Sequence, residues 1–182
     1  VLQGGAPAWK AAGYTLFEGV NVPSKTFGEI VEIVRHTPRI TARELVAMQQ
    51  KGENLVIVDG RTWGEYRRFN IPGGMSLPNG ELVMHIDGVA PDPATKIVVN
   101  CAGRTRSIIG AQTLIDWGVP NEVVALENGT QGYWLEGIPI EHGADRRAPV
   151  GDLSEAAVAA KRDRARAHAE RHAVAFVDAA AL

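Results

Sequence analysis

The chain has 182 residues, of which 45% are hydrophobic and 22% are charged, and this composition excludes a disordered or fibrous protein. The length suits one domain with flanking segments. The formal net charge of −2 excludes a global basic field for a nucleic acid or an anionic membrane, and no apolar run reaches the roughly 18 residues of a membrane span. The first residues lack the order of a signal peptide, so we expect a cytoplasmic protein without nucleic acid or membrane partners.

Cysteine and histidine usage limits the kinds of site that the chain can build. The only cysteine is Cys101, and the five histidines are scattered. A lone cysteine can form neither an internal disulfide nor a multi-thiolate zinc site, and the histidines do not show the i, i+4 pairing of a zinc hydrolase helix. The sequence therefore predicts no metal site and no cofactor.

The chain begins with a short internal repeat. Residues 2–14 align with residues 126–138, because each copy has a leucine, a glycine-rich turn, a tryptophan and a glycine at the same leucine-to-glycine distance. Since the second copy closes the unit predicted below, we expect residues 1–20 to be the C-terminal remnant of a preceding, similar unit in a tandem array. Residues 21–37 would then be a connector. Chance similarity around glycine and tryptophan is the alternative.

Strands alternate with helices through the middle of the chain. The first predicted helix covers residues 40–52, with a capping box at Thr41 and Glu44 and a stop at Gly52. A second helical stretch runs from Ser107 to Trp117. Continuous β-branched runs, typical of strands covered on both faces, occupy residues 55–58, 96–100 and 122–126. This order indicates βαβ crossovers, so the fold class is α/β with a central parallel sheet.

The remaining segments set the expected domain limits. We expect one complete unit over residues 38–145. Residues 146–182 are rich in alanine, arginine and glutamate, which predicts an exposed helical linker toward a possible further domain. A run of charges of this kind more often forms a solvated helix face than a binding site for an acidic partner.

Cys101 directly follows the strand at 96–100, and the loop after it leads into a helix. Ligands of parallel sheets bind at this edge. Loop amides, the helix start and two arginines would favour a thiolate over a thiol and would bind an anion. Cys101 is therefore the predicted nucleophile, and the predicted substrate-binding residues are Ala102, Gly103, Arg104, Thr105 and Arg106. A buried, inert thiol is the alternative.

A thiolate beside an anion site predicts sulfur chemistry. Cys101 would attack the outer sulfur of a small anionic donor, such as thiosulfate or a mercapto-acid, and become a persulfide that the loop amides stabilise. Because the chain has no second cysteine, an external acceptor must remove the sulfur. The expected acceptors are cyanide, a small thiol or another protein.

Four motifs in order resemble the rhodanese (sulfurtransferase) family over about residues 38–142: DGRTWGEY at 59–66, IPGGMSLP at 71–78, NCAGRTRS at 100–107 and ENGTQGYWLEGIPI at 127–140. The resemblance implies a five-stranded parallel sheet flanked by helices, with the persulfide on Cys101. It also implies a core position for Trp134 and an ion-pair network that includes Arg61 and Glu65. The residues with implied supporting roles are Asp59, Arg61, Glu65 and Ser107.

The loop from Cys101 to Arg106 has the six-residue length of sulfurtransferases, whereas related phosphatases and arsenate reductases place the arginine one position later, at Ser107 here. Ala102 and Gly103 match neither the basic pair associated with thiosulfate nor the glycine-rich loop associated with mercaptopyruvate. The donor stays open, and we expect thiosulfate. The leading hypothesis is a thiosulfate sulfurtransferase. The alternative is a non-turnover persulfide carrier or docking module that works with other rhodanese domains of the same parent chain, and a phosphatase ranks last.

Overall fold

The computed structural model describes residues 3–14 and 22–177. Leu2 of the N-terminal repeat and residues 15–21, which join the predicted remnant to the predicted connector, lie outside the described residues. So do residues 178–182 at the end of the predicted linker. No helix within the described ranges is long and apolar enough to cross a membrane.

In the described part of the chain, five strands form one sheet in the order β1-β5-β4-β2-β3, and every neighbouring pair is parallel. The strands are β1 Arg39–Ile40, β2 Leu55–Asp59, β3 Met75–Ser76, β4 Lys96–Asn100 and β5 Val123–Leu126. This confirms the α/β class and the parallel sheet that the residue patterns predict, and the five strands that the family resemblance implies.

Helices connect the strands and flank the sheet. They are α1 Gly5–Ala11, α2 Val22–Arg35, α3 Ala42–Gln50, α4 Trp63–Arg68, α5 Leu82–Val89, α6 Thr105–Trp117, α7 Gly129–Leu135 and α8 Glu155–Arg171, with a 3-10 turn at Asn79–Glu81. The predicted capping box of α3 is present, with Thr41 as its N-cap. The predicted helix begins at residue 40, but α3 begins at Ala42, because Ile40 pairs with Leu126 in the sheet. Gly118 ends α6 in the left-handed conformation.

The central strands are continuously apolar because helices cover both faces of the sheet. Side chains alternate along β4, so Ile97 and Val99 enter a core cluster with residues of α5 and α6. Val98, between them, enters a second cluster with residues of α3 and α7. Ile97, Val98 and Val99 have no exposed surface. This packing fixes β4, and Cys101 follows its last residue.

The segment after the predicted unit packs against it. The N–H group of Ser76 in β3 donates to the carbonyl of Arg146 at 2.9 Å, and that of Ala148 donates to the carbonyl of Ser76 at 3.0 Å. Residues 146–148 thus cover the open edge of β3. Farther on, the Lys161 amine of α8 donates to the Met84 carbonyl at 2.5 Å. α8 is a helix, as predicted, and it contacts the domain although none of its residues is buried.

The predicted connector contains α2, which packs on α6. Gly28 of α2 approaches α6 so closely that an added β-carbon would lie 2.8 Å from Thr105 Cγ2. Near the C-terminal end of α2, Arg35 pairs with Asp116 of α6 at 2.5 Å. α2 therefore lies beside the first turn of α6, which follows the loop after Cys101.

The two copies of the repeat, at the N-terminus and around α7, share a backbone conformation. α1 and α7 are both seven residues long, and the residues before them, Gly4 and Asn128, both adopt the left-handed conformation. The first helical residues also have positive φ, 60° at Gly5 and 53° at Gly129. Matching backbone hydrogen bonds follow the C-terminal ends of the two helices. The N–H group of Tyr14 donates to the carbonyl of Trp9 at 3.3 Å, and that of Ile138 donates to the carbonyl of Tyr133 at 3.4 Å.

Candidate active site

Cys101 lies at the carboxyl end of β4, beside the carboxyl end of β2. It is 2% exposed, and its Sγ lies 3.6 Å from the hydroxyl of Ser107. That hydroxyl donates to the Arg104 carbonyl at 2.7 Å. Because a hydroxyl can donate or accept, Ser107 can accept from a thiol or turn to donate to a thiolate.

The backbone N–H groups of the loop that follows Cys101 are the second feature of the site. α6 begins at Thr105, so the N–H groups of its first turn have no acceptor within the helix. Within residues 3–14 and 22–177, none of the N–H groups of residues 102–107 has a hydrogen-bond acceptor. A run of such groups at a helix start binds anions.

Backbone N–H groups of α7 bind two carbonyl groups at the start of the loop. The backbone N–H of Thr130 donates to the Cys101 carbonyl at 2.8 Å, and that of Gln131 donates to the Ala102 carbonyl at 2.9 Å. Gly129 makes this contact possible, because a β-carbon there would lie 2.4 Å from the Cys101 carbonyl oxygen. With its carbonyls bound by α7, the loop leaves its N–H groups available for a ligand.

A buried network of polar side chains lies at the carboxyl ends of β2 and β4, next to the loop. Asp59 accepts hydrogen bonds from Arg61 Nε at 2.8 Å and from an Arg61 terminal nitrogen at 2.7 Å. Asn100 donates to Asp59 Oδ2 at 3.0 Å and to Thr130 Oγ1 at 2.9 Å. Asp59 and Arg61 are each 1% exposed, so their charges compensate each other inside the protein.

Arg106 and Glu65 form a second ion pair beside the loop. The two guanidinium nitrogens of Arg106 donate to the Glu65 carboxylate at 2.9 and 2.7 Å. The hydrogen bond from Arg106 is the main reason that the pKa of Glu65 falls from 4.5 to about 2. The network expected between Arg61 and Glu65 therefore exists as two separate pairs, Asp59–Arg61 and Glu65–Arg106. The Arg61 side chain points into the interior, where its ion-pair partner Asp59 is also buried.

Arg104 points toward α2 and donates to the carboxylate of Glu32. Its side chain is 42% exposed. The hydrogen bond to Glu32 is the main cause that raises the pKa of Arg104 above its usual value. Each of the two loop arginines that the sequence assigns to donor binding thus carries its own carboxylate partner.

The structure brings all the predicted site residues to one edge of the sheet: the loop residues Cys101, Ala102, Gly103, Arg104, Thr105 and Arg106, and the supporting residues Asp59, Arg61, Glu65 and Ser107. Sequence reasoning missed Glu32, Asn100, Gly129 and Thr130, which hold the loop from its surroundings. A weak signal existed for Asn100, a polar residue at the end of an apolar strand. Glu32 gave no such signal, because it lies 72 residues from Arg104 and only the tertiary fold brings the two side chains together.

The core position expected for Trp134 is wrong. Trp134 is 62% exposed, whereas its neighbour Tyr133 is 3% exposed and packs in the core. On a short helix only one of two adjacent aromatic residues can face the sheet. Within the described part of the chain, no group of three or more His, Cys, Asp or Glu side chains could hold a metal ion.

The sequence profile of the rhodanese-like domain family matches residues 41–136. The crystal structure of a thiosulfate sulfurtransferase from Pseudomonas aeruginosa is 49% identical with a TM-score of 0.82, and the match covers 99% of this chain and 34% of that chain. The present chain therefore spans about a third of the length of that protein.

Two other relatives are more distant. A Rhodopseudomonas palustris protein of unknown function, described as a possible tyrosine phosphatase, is 29% identical with a TM-score of 0.55 over 70% of this chain and 100% of that one. The HTH-type transcriptional regulator Rv0324 of Mycobacterium tuberculosis is 31% identical over 112 residues, 62% of this chain and 46% of that protein. Since the family profile covers more than half of the sequence, this chain belongs to the rhodanese-like domain family.

Proposed function

We propose that the chain is a sulfurtransferase in which Cys101 carries the transferred sulfur as a persulfide. The observation that carries this proposal is the thiol at the base of a loop whose backbone N–H groups, from residue 102 to residue 107, have no acceptor in the described part of the chain. The similarity to a thiosulfate sulfurtransferase supports thiosulfate as the donor.

The proposed reaction has two displacements at sulfur. The Cys101 thiolate attacks the outer sulfur of thiosulfate, a new S–S bond forms as the donor S–S bond breaks, and sulfite leaves with the bonding electron pair. Cyanide then attacks the outer sulfur of the persulfide, thiocyanate leaves, and the thiolate returns. The loop N–H groups stabilise the negative charge on the transferred sulfur at both stages.

The test is thiocyanate formation from thiosulfate and cyanide by the purified chain and by its Cys101→Ser variant. We expect turnover by the wild-type chain and loss of at least about 1,000-fold in the variant, because a hydroxyl is a far weaker nucleophile than a thiolate. Mercaptopyruvate in place of thiosulfate tests the donor. Wild-type rates in the variant would contradict the mechanism.

A second candidate is a persulfide carrier or docking module of a longer chain, with other rhodanese-like units as partners. It is favoured by the repeat, because residues 3–14 adopt the backbone conformation of residues 127–138 and so resemble the end of another unit. The M. tuberculosis relative, a regulator by name, also supports a role other than turnover.

Single-turnover and steady-state measurements separate the two candidates. A carrier would take up one sulfur per Cys101 from thiosulfate and would form no more than one equivalent of thiocyanate. Many equivalents of thiocyanate per chain would exclude the carrier and support the enzyme. A phosphatase ranks last because Ser107 stands where the longer phosphatase loop has its arginine.

A further inference from the structure

A carboxylate of α2 reaches the active-site loop. The Glu32 side chain is 11% exposed and accepts hydrogen bonds from Arg104 and from Arg39 of β1. α2 is held in this place by the close contact of Gly28 with Thr105. The segment that the sequence assigns to a connector therefore contributes a charged side chain to the surroundings of Cys101.

The two arginines of the loop form ion pairs with carboxylates of two different helices. Arg106 is paired with Glu65 of α4 and Arg104 with Glu32 of α2. Burial raises the pKa of Glu32, but the hydrogen bonds from Arg104 and Arg39 outweigh it and hold the pKa below 4.5. Glu32 is therefore charged at neutral pH and partly compensates the charges of Arg104 and Arg39.

We infer that Glu32 is a positioning residue that sets the donor specificity of the Cys101 loop, an inference that rests on the function proposed above. Glu32 holds the Arg104 guanidinium against α2, so a donor is bound mainly by backbone N–H groups. Coulomb energy is proportional to the charge of the donor. A free Arg104 guanidinium would therefore attract a dianion such as thiosulfate more strongly than a monoanion such as mercaptopyruvate, and Glu32 removes this advantage by holding Arg104 on α2.

The test is the Glu32→Gln variant, which removes the charge and keeps the size of the side chain. KM and kcat are measured with each donor and with cyanide as the acceptor at low ionic strength. We expect KM to fall about fourfold for thiosulfate and about twofold for mercaptopyruvate, with kcat nearly unchanged. Added salt should reduce both effects, because it screens exposed charges.

Two controls show whether Glu32 acts through Arg104. Glu29→Gln removes the same charge from the same helix, but Glu29 is 57% exposed and lies 3.8 Å from Arg104, so KM should change by less than about twofold. In an Arg104→Gln background, Glu32→Gln should no longer distinguish the two donors. Thermal unfolding of each variant shows separately whether the fold is kept.

The outcomes separate this inference from the proposed function. If the wild-type chain transfers sulfur and Glu32→Gln leaves the ratio of the two KM values unchanged, the inference is overturned and the function stands. Equal donor selectivity in Glu29→Gln and Glu32→Gln would also overturn it. If the wild-type chain transfers no sulfur from either donor, the proposed function and the inference fail together.

Discussion

Gly129 begins α7 with a φ of 53°, and an added β-carbon would lie 2.4 Å from the Cys101 carbonyl oxygen and 2.7 Å from that of Gly103. We expect Gly129→Ala to destabilise the fold by about 2–4 kcal/mol, because left-handed strain and overpacking add together. The loop must move away from α7, so sulfur transfer should be lost as well. Urea denaturation and thiocyanate formation measure the two effects.

Gly137→Ala is the matched control. Gly137 has a φ of 75°, but no atom lies within 4 Å of an added β-carbon. The substitution should therefore cost only backbone strain, about 1–2 kcal/mol, and leave sulfur transfer intact. Equal losses of activity in the two variants would contradict the role assigned to the contact of Gly129 with the loop.

The buried Asp59–Arg61 pair predicts a large effect of removing one charge. Asp59→Asn leaves Arg61 buried with no compensating carboxylate, so we expect a loss of about 3–5 kcal/mol in the free energy of unfolding. The control is Glu136→Gln at the surface pair with Arg43, whose side chain is 77% exposed, where the expected loss is below about 1 kcal/mol. If Asp59→Asn lowered the free energy of unfolding as little as Glu136→Gln does, the stability of the fold would not depend on the charge of Asp59 beside Arg61.

Individual residues were predictable from the sequence only where a local pattern carried them. The position of Cys101 between β4 and α6 follows from the apolar run before it and the helical pattern after it, and its role as nucleophile stays a prediction. The partner of Arg104 was not predictable, because Glu32 lies 72 residues away and no local pattern links the two. Trp134 and Tyr133 are adjacent aromatic residues on a seven-residue helix, and only the packing decides which of them faces the core.

The pairing of α4 with the active-site loop should depend on pH. The pKa of Glu65 is about 2 in the folded protein, chiefly because Arg106 donates to it, against an ordinary value of 4.5. A carboxyl group with a lowered pKa stabilises the fold above its ordinary pKa, and this stabilisation is lost as the pH falls through the lowered value. We expect Glu65→Gln to destabilise the protein at pH 7 and the difference from wild type to shrink between pH 4.5 and pH 2.

Glu44 of α3 provides the control for this pH dependence. It makes the same capping box as Glu65, but its hydrogen-bond partner is Thr41 and no arginine. Glu44→Gln should therefore have a smaller effect at pH 7, measured by denaturant titration at each pH. An equal effect of the two substitutions would assign the contribution of Glu65 to capping rather than to Arg106.

The length of an element decided how well it could be predicted. β2, β4 and β5 have four or five residues each, and their β-branched runs reflect a sheet that is covered on both faces. β1 and β3 have two residues each, too few for any periodic signal, so they followed only from the resemblance to the family. The position of α2 on α6 depends on tertiary contacts such as Glu32–Arg104 and Arg35–Asp116, whose residues lie 72 and 81 positions apart.

The two flanking helices are expected to contribute unequally to the stability of the whole molecule. α2 forms the Arg35–Asp116 pair with α6, and Thr37 after it donates to Gln112 at 2.8 Å in the interior. α8 has no buried residue. We expect removal of residues 1–37 to lower the melting temperature more than removal of residues 154–182. The opposite order in thermal unfolding would contradict this account of α2.

The persulfide on Cys101 is the central claim, and intact mass spectrometry tests it most directly. The chain and its Cys101→Ser variant are incubated with thiosulfate, and each sample is then divided and treated with or without cyanide. We predict a gain of one sulfur, about 32 Da, on the wild-type chain alone and its removal by cyanide. A wild-type chain that gains no sulfur from thiosulfate or mercaptopyruvate, or a variant that gains it equally, would contradict the account.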